Sequence, residues 1–166
     1  FEGIFDGFLK LADAKKEVYN HDLYVIVENY YDQHASENTP ITHYSNSFFN
    51  FEDLQVVSNS TFPSASVKIS RGADVFNASA VGSGPIDALY SAIADITKID
   101  IKLVEYNISS VSRGKEALGK VKITVEHEDE KYIAKAADTD ILRASALAYV
   151  NAINSIIAAK ISPVIV

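Results

Sequence analysis

Cysteine, methionine and tryptophan are all absent from this chain. Without cysteine there is no disulfide, no thiolate metal ligand and no cysteine nucleophile, so a metal site would have to use histidine and carboxylate groups. Basic residues are also scarce, because 15 Lys and Arg stand against 22 Asp and Glu, which gives a net charge of -7. Since nucleic-acid phosphates require clustered Lys and Arg, we expect no DNA or RNA partner.

Long apolar runs are missing as well. No uninterrupted stretch approaches the roughly 20 apolar residues of a membrane-spanning helix, and the N-terminus lacks a basic region followed by a hydrophobic one. With 166 residues, the chain is too short for a (β/α)₈ barrel of roughly 250 residues. We expect a soluble, cytoplasmic protein of one domain, or one domain with an appendage, and no membrane contact. The missing initiator methionine suggests a fragment or an excised domain.

The N-terminal part predicts two short amphipathic helices. From Gly3 to Lys16 apolar residues recur every three to four positions, which is the spacing of one buried helix face. Asn20 is a candidate N-cap of a second helix, with Asp22 in its first turn and an apolar face that reaches Tyr30. Two such helices cannot bury both apolar faces alone, so they pack either on the rest of this chain or on a neighbour outside it.

A polar segment without periodicity follows these helices. Residues 32–47 include Pro40 and are rich in Ser, Thr, Asn and His, a composition typical of a linker. The segment predicts a boundary between a helical linker subdomain with its connecting loop, residues 1–47, and a second domain, residues 48–166.

An internal repeat organises the second domain. Val67-Lys68-Ile69 recurs at 121–123, an offset of 54 residues, whereas three alanines recur at an offset of 56: Ala80, Ala88 and Ala92 as Ala136, Ala144 and Ala148. We interpret the two-residue difference as a longer loop in the second hairpin. Residues 71–74 would turn the first hairpin, and the charged residues 126–130 would turn the second.

Each repeat unit is predicted to contain three strands and a helix. The strands are 51–58, 65–71 and 75–81, then 101–110, 118–126 and 131–137; the helices are 85–96 and 141–159. Pro85 suits the first position of one helix, and Asp140 or Thr139 suits the cap of the other. The fold class is therefore α+β, with two pseudo-repeated βββα units after a short helical linker subdomain. One ridge on the second helix is interpreted as core packing: Ala144, Ala148, Ala152 and Ile156.

No catalytic or metal-binding constellation emerges from the sequence. The four histidines form no pair with metal-site spacing: His21, His34, His43 and His127. The segment 82–85, Gly-Ser-Gly-Pro, superficially resembles a nucleophile elbow, but Pro85 begins a helix and no histidine accompanies it, so Ser83 is interpreted as a turn residue. We predict no catalytic residue and no metal ligand in this chain.

Two equivalent strand-to-helix turns are the candidate binding elements. The first, residues 82–88, contains two glycines that let the backbone approach a ligand, and the helix after it presents amide N–H groups suited to a carboxylate. The second, residues 138–144, offers Asp138 and Asp140, whose carboxylates can accept hydrogen bonds from an ammonium group. Together the turns would bind a zwitterion; the alternative is that both are only capping turns of a duplicated fold.

Several of these motifs carry a resemblance to a known family. They are Gly-Ser-Gly-Pro-Ile-Asp-Ala-Leu-Tyr at 82–90, Leu-Val-Glu-Tyr at 103–106, Ala-Ala-Asp-Thr-Asp-Ile at 136–141, and the segment 144–154. Residues from about 50 to 159 resemble the C-terminal regulatory domain of 2-isopropylmalate synthase and of the related citramalate synthase. Residues 5–23 resemble the helical linker that follows the catalytic barrel in that family.

The resemblance implies a homodimeric allosteric domain that binds leucine or isoleucine near the dimer interface and mediates feedback inhibition. Carried over position by position, it implies these ligand-binding residues: Gly82, Gly84, Ile86, Asp87, Leu103, Tyr106, Ser110, Ala117, Gly119, Asp138, Thr139, Asp140 and Ile141. The family's acetyl transfer uses acetyl-CoA and a divalent metal in a barrel, so we expect no cofactor and no catalysis in this chain itself.

The effector is expected to be leucine, because 2-isopropylmalate synthase is the commoner bearer of the domain. The alternatives are a citramalate synthase domain that senses isoleucine and a purely structural dimerisation module. An aliphatic side chain would contact Ile86, Leu103, Tyr106 and Ala117. Burial of a leucine-sized group contributes roughly 1.5–3 kcal/mol.

Overall fold

A computed structural model describes residues 2–14, 18–34, 45–58, 61–113 and 116–161. Its helices are α1 (Glu2–Ala14), α2 (Asn20–His34), α3 (Pro85–Thr97) and α4 (Ile141–Ile161), with a short 3₁₀ helix at Ser45–Ser47. Its strands are β1 (Asn50–Val57), β2 (Ser64–Arg71), β3 (Asp74–Val81), β4 (Lys102–Arg113), β5 (Glu116–His127) and β6 (Glu130–Asp138). The order βββα occurs twice after two helices, which confirms the predicted α+β class.

Each unit contributes one three-stranded antiparallel sheet, with the orders β1-β2-β3 and β4-β5-β6. Alternation along the central strands decides which face is buried. The apolar members belong to the core and are at most 3% exposed: Ala65, Val67 and Ile69 in β2, and Val121, Ile123 and Val125 in β5. Lys68 and Lys122, which alternate with them, are exposed. One face of each sheet therefore forms the core with α3 and α4.

A β-bulge interrupts the first strand of each unit. The pairing shifts between Phe51 and Asp53 in β1, and between Leu103 and Glu105 in β4. A bulge inserts one extra residue into the strand, so residues three positions apart across it face the same side of the sheet. The internal repeat thus includes a backbone irregularity that hydrophobic patterning does not reveal.

The hairpins correct the predicted alignment of the two units. Arg71 pairs with Asp74 and His127 pairs with Glu130, so both turns contain two residues and the offset through this region is 56. The offset of 54 from the Val-Lys-Ile match, and the longer hairpin loop inferred from it, are wrong. Because side-chain orientation repeats every two residues, a two-residue slip preserves the hydrophobic pattern. The extra length lies in β4 and β5, which have 12 residues each where β1 and β2 have 8.

Both hairpin turns lie where the sequence predicts them. Gly72 has a φ of 59° in the first turn, and Glu128 and Asp129 have φ values of 51° and 65° in the second. The second turn, with two consecutive residues of positive φ, has the signature of a type I′ turn, whose twist matches that of a hairpin.

Helix α4 is the central helix of the core. The ridge predicted as core packing is 0% exposed: Ala144, Ala148, Ala152 and Ile156. Of the helices in the described ranges, only α4 is long and apolar enough to cross a membrane by length and composition. However, 61% of its most apolar 18-residue stretch is buried inside the fold. Such burial is typical of the core helix of a globular domain. Arg143, Asn151 and Asn154 interrupt the run in the sequence, so no continuous apolar stretch was evident there.

Helix α2 packs on this same chain, which is one of the two alternatives that the sequence left open. The ring centroids of His21 and Phe48 lie 5.5 Å apart. Just before α2, the Tyr19 hydroxyl donates to the backbone C=O of Lys135 at 2.6 Å and accepts from its N–H at 2.7 Å. Lys135 lies on β6, an edge strand, and its C=O also accepts from Asn151 Nδ2 of α4 at 3.1 Å, so Tyr19 and α4 together satisfy backbone groups at the sheet edge.

The start of α2 differs slightly from the prediction. Asn20 is the first helical residue and not the cap. The Asp22 carboxylate accepts a hydrogen bond from the N–H of Tyr19 at 2.9 Å, which is one half of a capping box. Residues 15–17 and most of the predicted linker lie outside the described residues, so the domain boundary at residue 47 stays a prediction.

Asn154 provides the first testable prediction, because it fixes the chain segment that leads into β1. Its side-chain amide donates to the Phe49 C=O at 2.8 Å and its oxygen accepts from the Phe49 N–H at 2.9 Å. Both residues are 3% exposed. Asn154→Ala leaves two buried backbone groups unpaired, so we expect the free energy of unfolding in a urea titration to fall by roughly 2–4 kcal/mol.

The control is Asn77→Ala, on the exposed side of β3, which should change the same free energy by less than about 0.5 kcal/mol. Equal effects of the two substitutions would contradict the anchoring role of Asn154.

Candidate functional site

Three of the predicted ligand residues form one row across the second sheet. Ser110 in β4 pairs with Gly119 in β5, and Gly119 pairs with Asp138 at the end of β6. By alternation the three residues face the same side as the buried Val121. Ile141, the first residue of α4, covers Gly119 so closely that a Cβ there would overlap its side chain. This cross-strand row, Ser110–Gly119–Asp138, therefore lies beside the N-terminus of α4.

The bulge in β4 adds two more predicted residues to this face. On a regular strand, Leu103 and Tyr106 would point to opposite sides, but the bulge after Leu103 places both opposite buried residues of β5. Ile108 lies between Tyr106 and Ser110 on the same face and is 53% exposed. The sequence analysis missed Ile108, although alternation from Tyr106 would have identified it. Ala117 of β5 is exposed on this face as well.

The first turn is closed on itself. Ser83 donates from its N–H and its hydroxyl to Asp87 Oδ2, at 2.8 and 3.1 Å, which is the role of a turn residue that the sequence predicts. A Cβ on Gly82 would overlap the backbone nitrogen of Ala88 and lie 2.7 Å from Asp87 Oδ2. The fold therefore requires glycine at position 82, and the Asp87 carboxylate is engaged within the turn.

Gly84 has a different role from Gly82. It is the N-cap of α3 with a φ of −156°, it provides no side-chain cap, and a Cβ on it would meet nothing within 4 Å. The first-turn amides of α3 thus receive no acceptor from the capping residue, and this is the condition under which a helix N-terminus can accept an anion. The space beside Gly84 is open.

The second turn satisfies its own polar groups. Asp140 Oδ1 accepts from the Leu142 N–H at 2.9 Å, so Asp140, and not Thr139, is the cap of α4. Asp138 Oδ1 accepts from the Asp140 N–H at 2.9 Å and lies 3.5 Å from the Thr139 hydroxyl. Asp138 Oδ2 lies 3.8 Å from Arg143 Nε. The carboxylates that the sequence assigns to an ammonium group therefore already have partners within the turn.

Arg143, which the sequence analysis did not single out, connects this turn with the first unit. Its Nη1 lies 3.7 Å from Asp53 Oδ1, its Nη2 donates to the Glu52 C=O at 3.4 Å, and its guanidinium lies 5.1 Å from the ring centroid of Phe51. Its side chain is 39% exposed, so solvent screens these ion pairs. Arg143 occupies the repeat position of Asp87, so these two equivalent positions carry opposite charges.

A buried tyrosine cluster joins the two units. The Tyr90 hydroxyl of α3 donates to the Ser145 C=O of α4 at 3.1 Å, and the Tyr90 ring lies 4.4 Å from that of Tyr149 and 6.5 Å from that of Tyr106. Burial raises the pKa of Tyr149 to about 12 and raises the pKa of Tyr90 well above its ordinary value. Ile86 precedes Tyr90 by one helical turn and lies on the same face of α3. This helix therefore links the first turn to the tyrosines behind the cross-strand row.

A cleft of about 890 Å³ lies elsewhere, between the N-terminal helices and α4. Its lining includes Lys10, His21, Phe48 and Asn151, and none of the predicted ligand residues contributes to it. The predicted ligand residues thus lie in two groups outside this cleft: the first turn at the start of α3, and the face of the second sheet beside the start of α4.

The fold and the site together define a class of protein: a duplicated α+β domain whose two βββα units share a helical core and end their third strands in glycine or aspartate turns. A family model described as the LeuA allosteric (dimerisation) domain matches residues 17–157. The chain belongs to this family, and the resemblance stated from its motifs is confirmed.

Several longer relatives of this chain are named 2-isopropylmalate synthase. The chain is 46% identical over 157 residues to a 2-isopropylmalate synthase of Geobacillus sp. (strain Y412MC10), a match that covers 95% of this chain and 29% of the relative. It is 40% identical over 154 residues to the 2-isopropylmalate synthase of Sediminispirochaeta smaragdinae, with coverages of 93% and 28%. The corresponding values for Sodalis glossinidius are 37%, 153 residues, 92% and 27%. The chain spans less than a third of the length of these relatives.

The tyrosine cluster predicts a loss of stability at alkaline pH. The ordinary tyrosine pKa is 10.0, and burial raises that of Tyr149 to about 12. Below pH 10 the phenol is neutral in both folded and unfolded chains, so its burial contributes fully; between pH 10 and 12 the unfolded chain ionises first and stability falls. We expect up to about 1.4 kcal/mol per pH unit from this group in urea titrations. In the Tyr149→Phe variant the free energy of unfolding should fall less steeply with pH, and a slope identical to that of the native chain would refute burial of Tyr149 as the cause.

Substitutions of the two glycines of the first turn are predicted to destabilise the fold to different extents. Gly82→Ala pushes a methyl group into backbone atoms of α3, so we expect a loss of roughly 1–3 kcal/mol in the free energy of unfolding. Gly84→Ala meets open space and changes only the cap, so its loss should stay within about 1 kcal/mol. Thermal unfolding of the two variants side by side checks this, and a larger loss for Gly84→Ala would contradict the geometry of the turn.

Proposed function

We propose that this chain is the leucine-sensing regulatory domain of a 2-isopropylmalate synthase, and that bound leucine lowers the activity of the whole enzyme. One observation supports the proposal most: five residues that the resemblance assigns to the ligand share one face of the second sheet, namely Leu103, Tyr106, Ser110, Gly119 and Asp138. The relatives' own name supports the parent enzyme. The acetyl transfer itself would belong to the part of the enzyme that this chain does not match.

The aliphatic part of leucine would lie against the exposed apolar surface of β4. Leu103 and Ile108 are 38% and 53% exposed on either side of the half-buried Tyr106. Covering a leucine side chain there would contribute roughly 1.5–3 kcal/mol. Because leucine and isoleucine differ only in the position of a methyl group, shape alone would separate them by about 1–3 kcal/mol.

The charged ends of the amino acid would use the two turns differently. The carboxylate suits the open N-terminus of α3 at Gly84, where no side chain caps the helix. The ammonium group suits Asp138, whose present partner Arg143 lies 3.8 Å away and is partly exposed, so the exchange of one cation for another costs little. Ligand binding would thereby release Arg143 from the second turn.

The proposal also covers the assembly of the chain, its cellular location and its cofactors. The family description supports assembly as a homodimer, through which ligand binding would shift the population of dimer arrangements and act on a distant catalytic site. We propose a cytoplasmic enzyme and no cofactor bound by this domain. Within the described ranges, no three His, Cys, Asp or Glu side chains group as a metal ion would require, so we assign these residues no metal-dependent step.

A purely structural dimerisation module is the second candidate. Its support is that Asp87, Asp138 and Asp140 all have local hydrogen-bond partners. The open N-terminus of α3 and the exposed Leu103 and Ile108 favour the sensor instead. An isoleucine sensor of the citramalate synthase type would use the same surface and differs only in the preferred ligand.

Calorimetry of the 166-residue chain with leucine, isoleucine and valine distinguishes these candidates. We expect leucine to bind in preference to the other two, and at 100 times its dissociation constant it should raise the free energy of unfolding by about 2.7 kcal/mol. Preference for isoleucine would assign the domain to the citramalate synthase type. Absence of both heat and stabilisation would leave the structural module.

Asp138→Asn provides a test of the site within the same experiment. It removes the charge that would pair with the ammonium group, so leucine affinity should fall about tenfold, as expected for a lost charge-assisted hydrogen bond. The matched control is Asp129→Asn at the tip of the second hairpin, where φ is 65° and asparagine is well tolerated. This control should bind leucine as the native chain does.

A further inference from the structure

Ser145 lies directly behind the candidate site and contacts it through Tyr106. Its Oγ lies 2.7 Å from Tyr106 Oη and 2.7 Å from the Ile141 C=O. Ser145 is 0% exposed, so these hydrogen bonds are made without competition from water. Its backbone C=O also accepts the Tyr90 hydroxyl at 3.1 Å. Ser145 thus contacts a strand and both core helices.

The direction of the bond between the two hydroxyls follows from proton counting. A serine hydroxyl has one proton and a carbonyl oxygen has none to give. Ser145 therefore donates to the Ile141 C=O, and its only remaining capacity is to accept. The Tyr106 hydroxyl must then be the donor in the contact between them.

The Tyr106 hydroxyl consequently donates its proton to the buried Ser145 Oγ. Tyr106 presents its ring to the surface between Leu103 and Ile108, and it has no proton left for a ligand. Were Ser145 unable to accept, this partly buried donor would be unpaired, and a ligand with an acceptor in its side chain would satisfy it. An unpaired buried donor costs much more than an absent one.

We propose that Ser145 is a positioning residue that makes the site selective for aliphatic amino acids, by accepting the Tyr106 proton and so removing a donor from the pocket. The inference rests on the proposed function, since it concerns the amino acid bound there. A pocket built to donate would instead accept isosteres of leucine that carry a carbonyl group.

The experiment compares leucine with 4-oxonorvaline, in which a carbonyl oxygen replaces one methyl group of the leucine side chain. Native chain, Ser145→Ala, Tyr106→Phe and the double variant are titrated with both compounds by calorimetry. The native chain should prefer leucine. In Ser145→Ala we expect the dissociation constant for leucine to rise about tenfold and the preference for leucine over 4-oxonorvaline to fall by a further factor of about ten.

The other two variants separate this mechanism from simple packing. Tyr106→Phe removes the donor itself and leaves Ser145 bonded to Ile141, so it provides the background in which the effect of Ser145→Ala is measured without a stranded donor. In the double variant no donor is stranded, and affinity and preference should both lie within about threefold of those of Tyr106→Phe alone, as a double-mutant cycle between coupled residues requires. Ser155→Ala, which breaks only a bond to the Asn151 C=O on the same helix, is the matched control and should leave both unchanged.

The possible outcomes distinguish a failure of the Ser145 inference from a failure of the proposed leucine sensor. If Ser145→Ala weakens leucine but keeps the native preference, or if Ser145→Ala weakens leucine equally in the Tyr106→Phe background, Ser145 acts through packing and the inference is overturned while the sensor stands. If the native chain binds neither leucine nor isoleucine nor valine, the proposed function fails and the inference fails with it.

Discussion

The bulge in the first strand of each unit is the backbone constraint on which the candidate site depends. In β4 it follows Leu103, and it is the reason that Leu103 and Tyr106 face the same side of the sheet although they are three residues apart. Tyr106 then reaches Ser145 on α4, which fixes the position of the helix start and of Ile141 above Gly119. Without the extra residue, one of the two side chains would face the solvent side and the row of matched residues would be divided between two surfaces.

The two units preserve this backbone but differ at the turns that follow their third strands. Asp140 caps α4 with its own carboxylate, whereas Gly84 leaves α3 without a side-chain cap. At the next equivalent pair, Asp87 folds back on Ser83 while Arg143 extends to the first unit. The duplicated scaffold thus ends in a helix N-terminus without a side-chain cap in the first unit and in a turn with two carboxylates in the second. The core residues, by contrast, are nearly interchangeable between the units.

Hydrophobic alternation and capping residues were sufficient to predict all eight elements of the repeat within a few residues, because each buried strand alternates and each helix starts at Pro85 or after Asp140. Alternation could not fix the register, since the Val-Lys-Ile match at an offset of 54 is as good a pattern as the true offset of 56. The bulge, and with it the shared face of Leu103 and Tyr106, depends on strand pairing. The partners of Asp138 and the interaction of Arg143 with β1 depend on how side chains are placed in three dimensions. Local sequence patterns do not contain this information.

Tyr19 bonds to the exposed margin of the second sheet. Its single hydroxyl satisfies both the donor and the acceptor that Lys135 presents at the margin of β6. A strand margin with vacant amide and carbonyl groups is a template for a strand from another molecule. The segment that leads into α2, together with Asn151 of α4, therefore covers this point of the margin of β6 and hinders the addition of a strand from another molecule there.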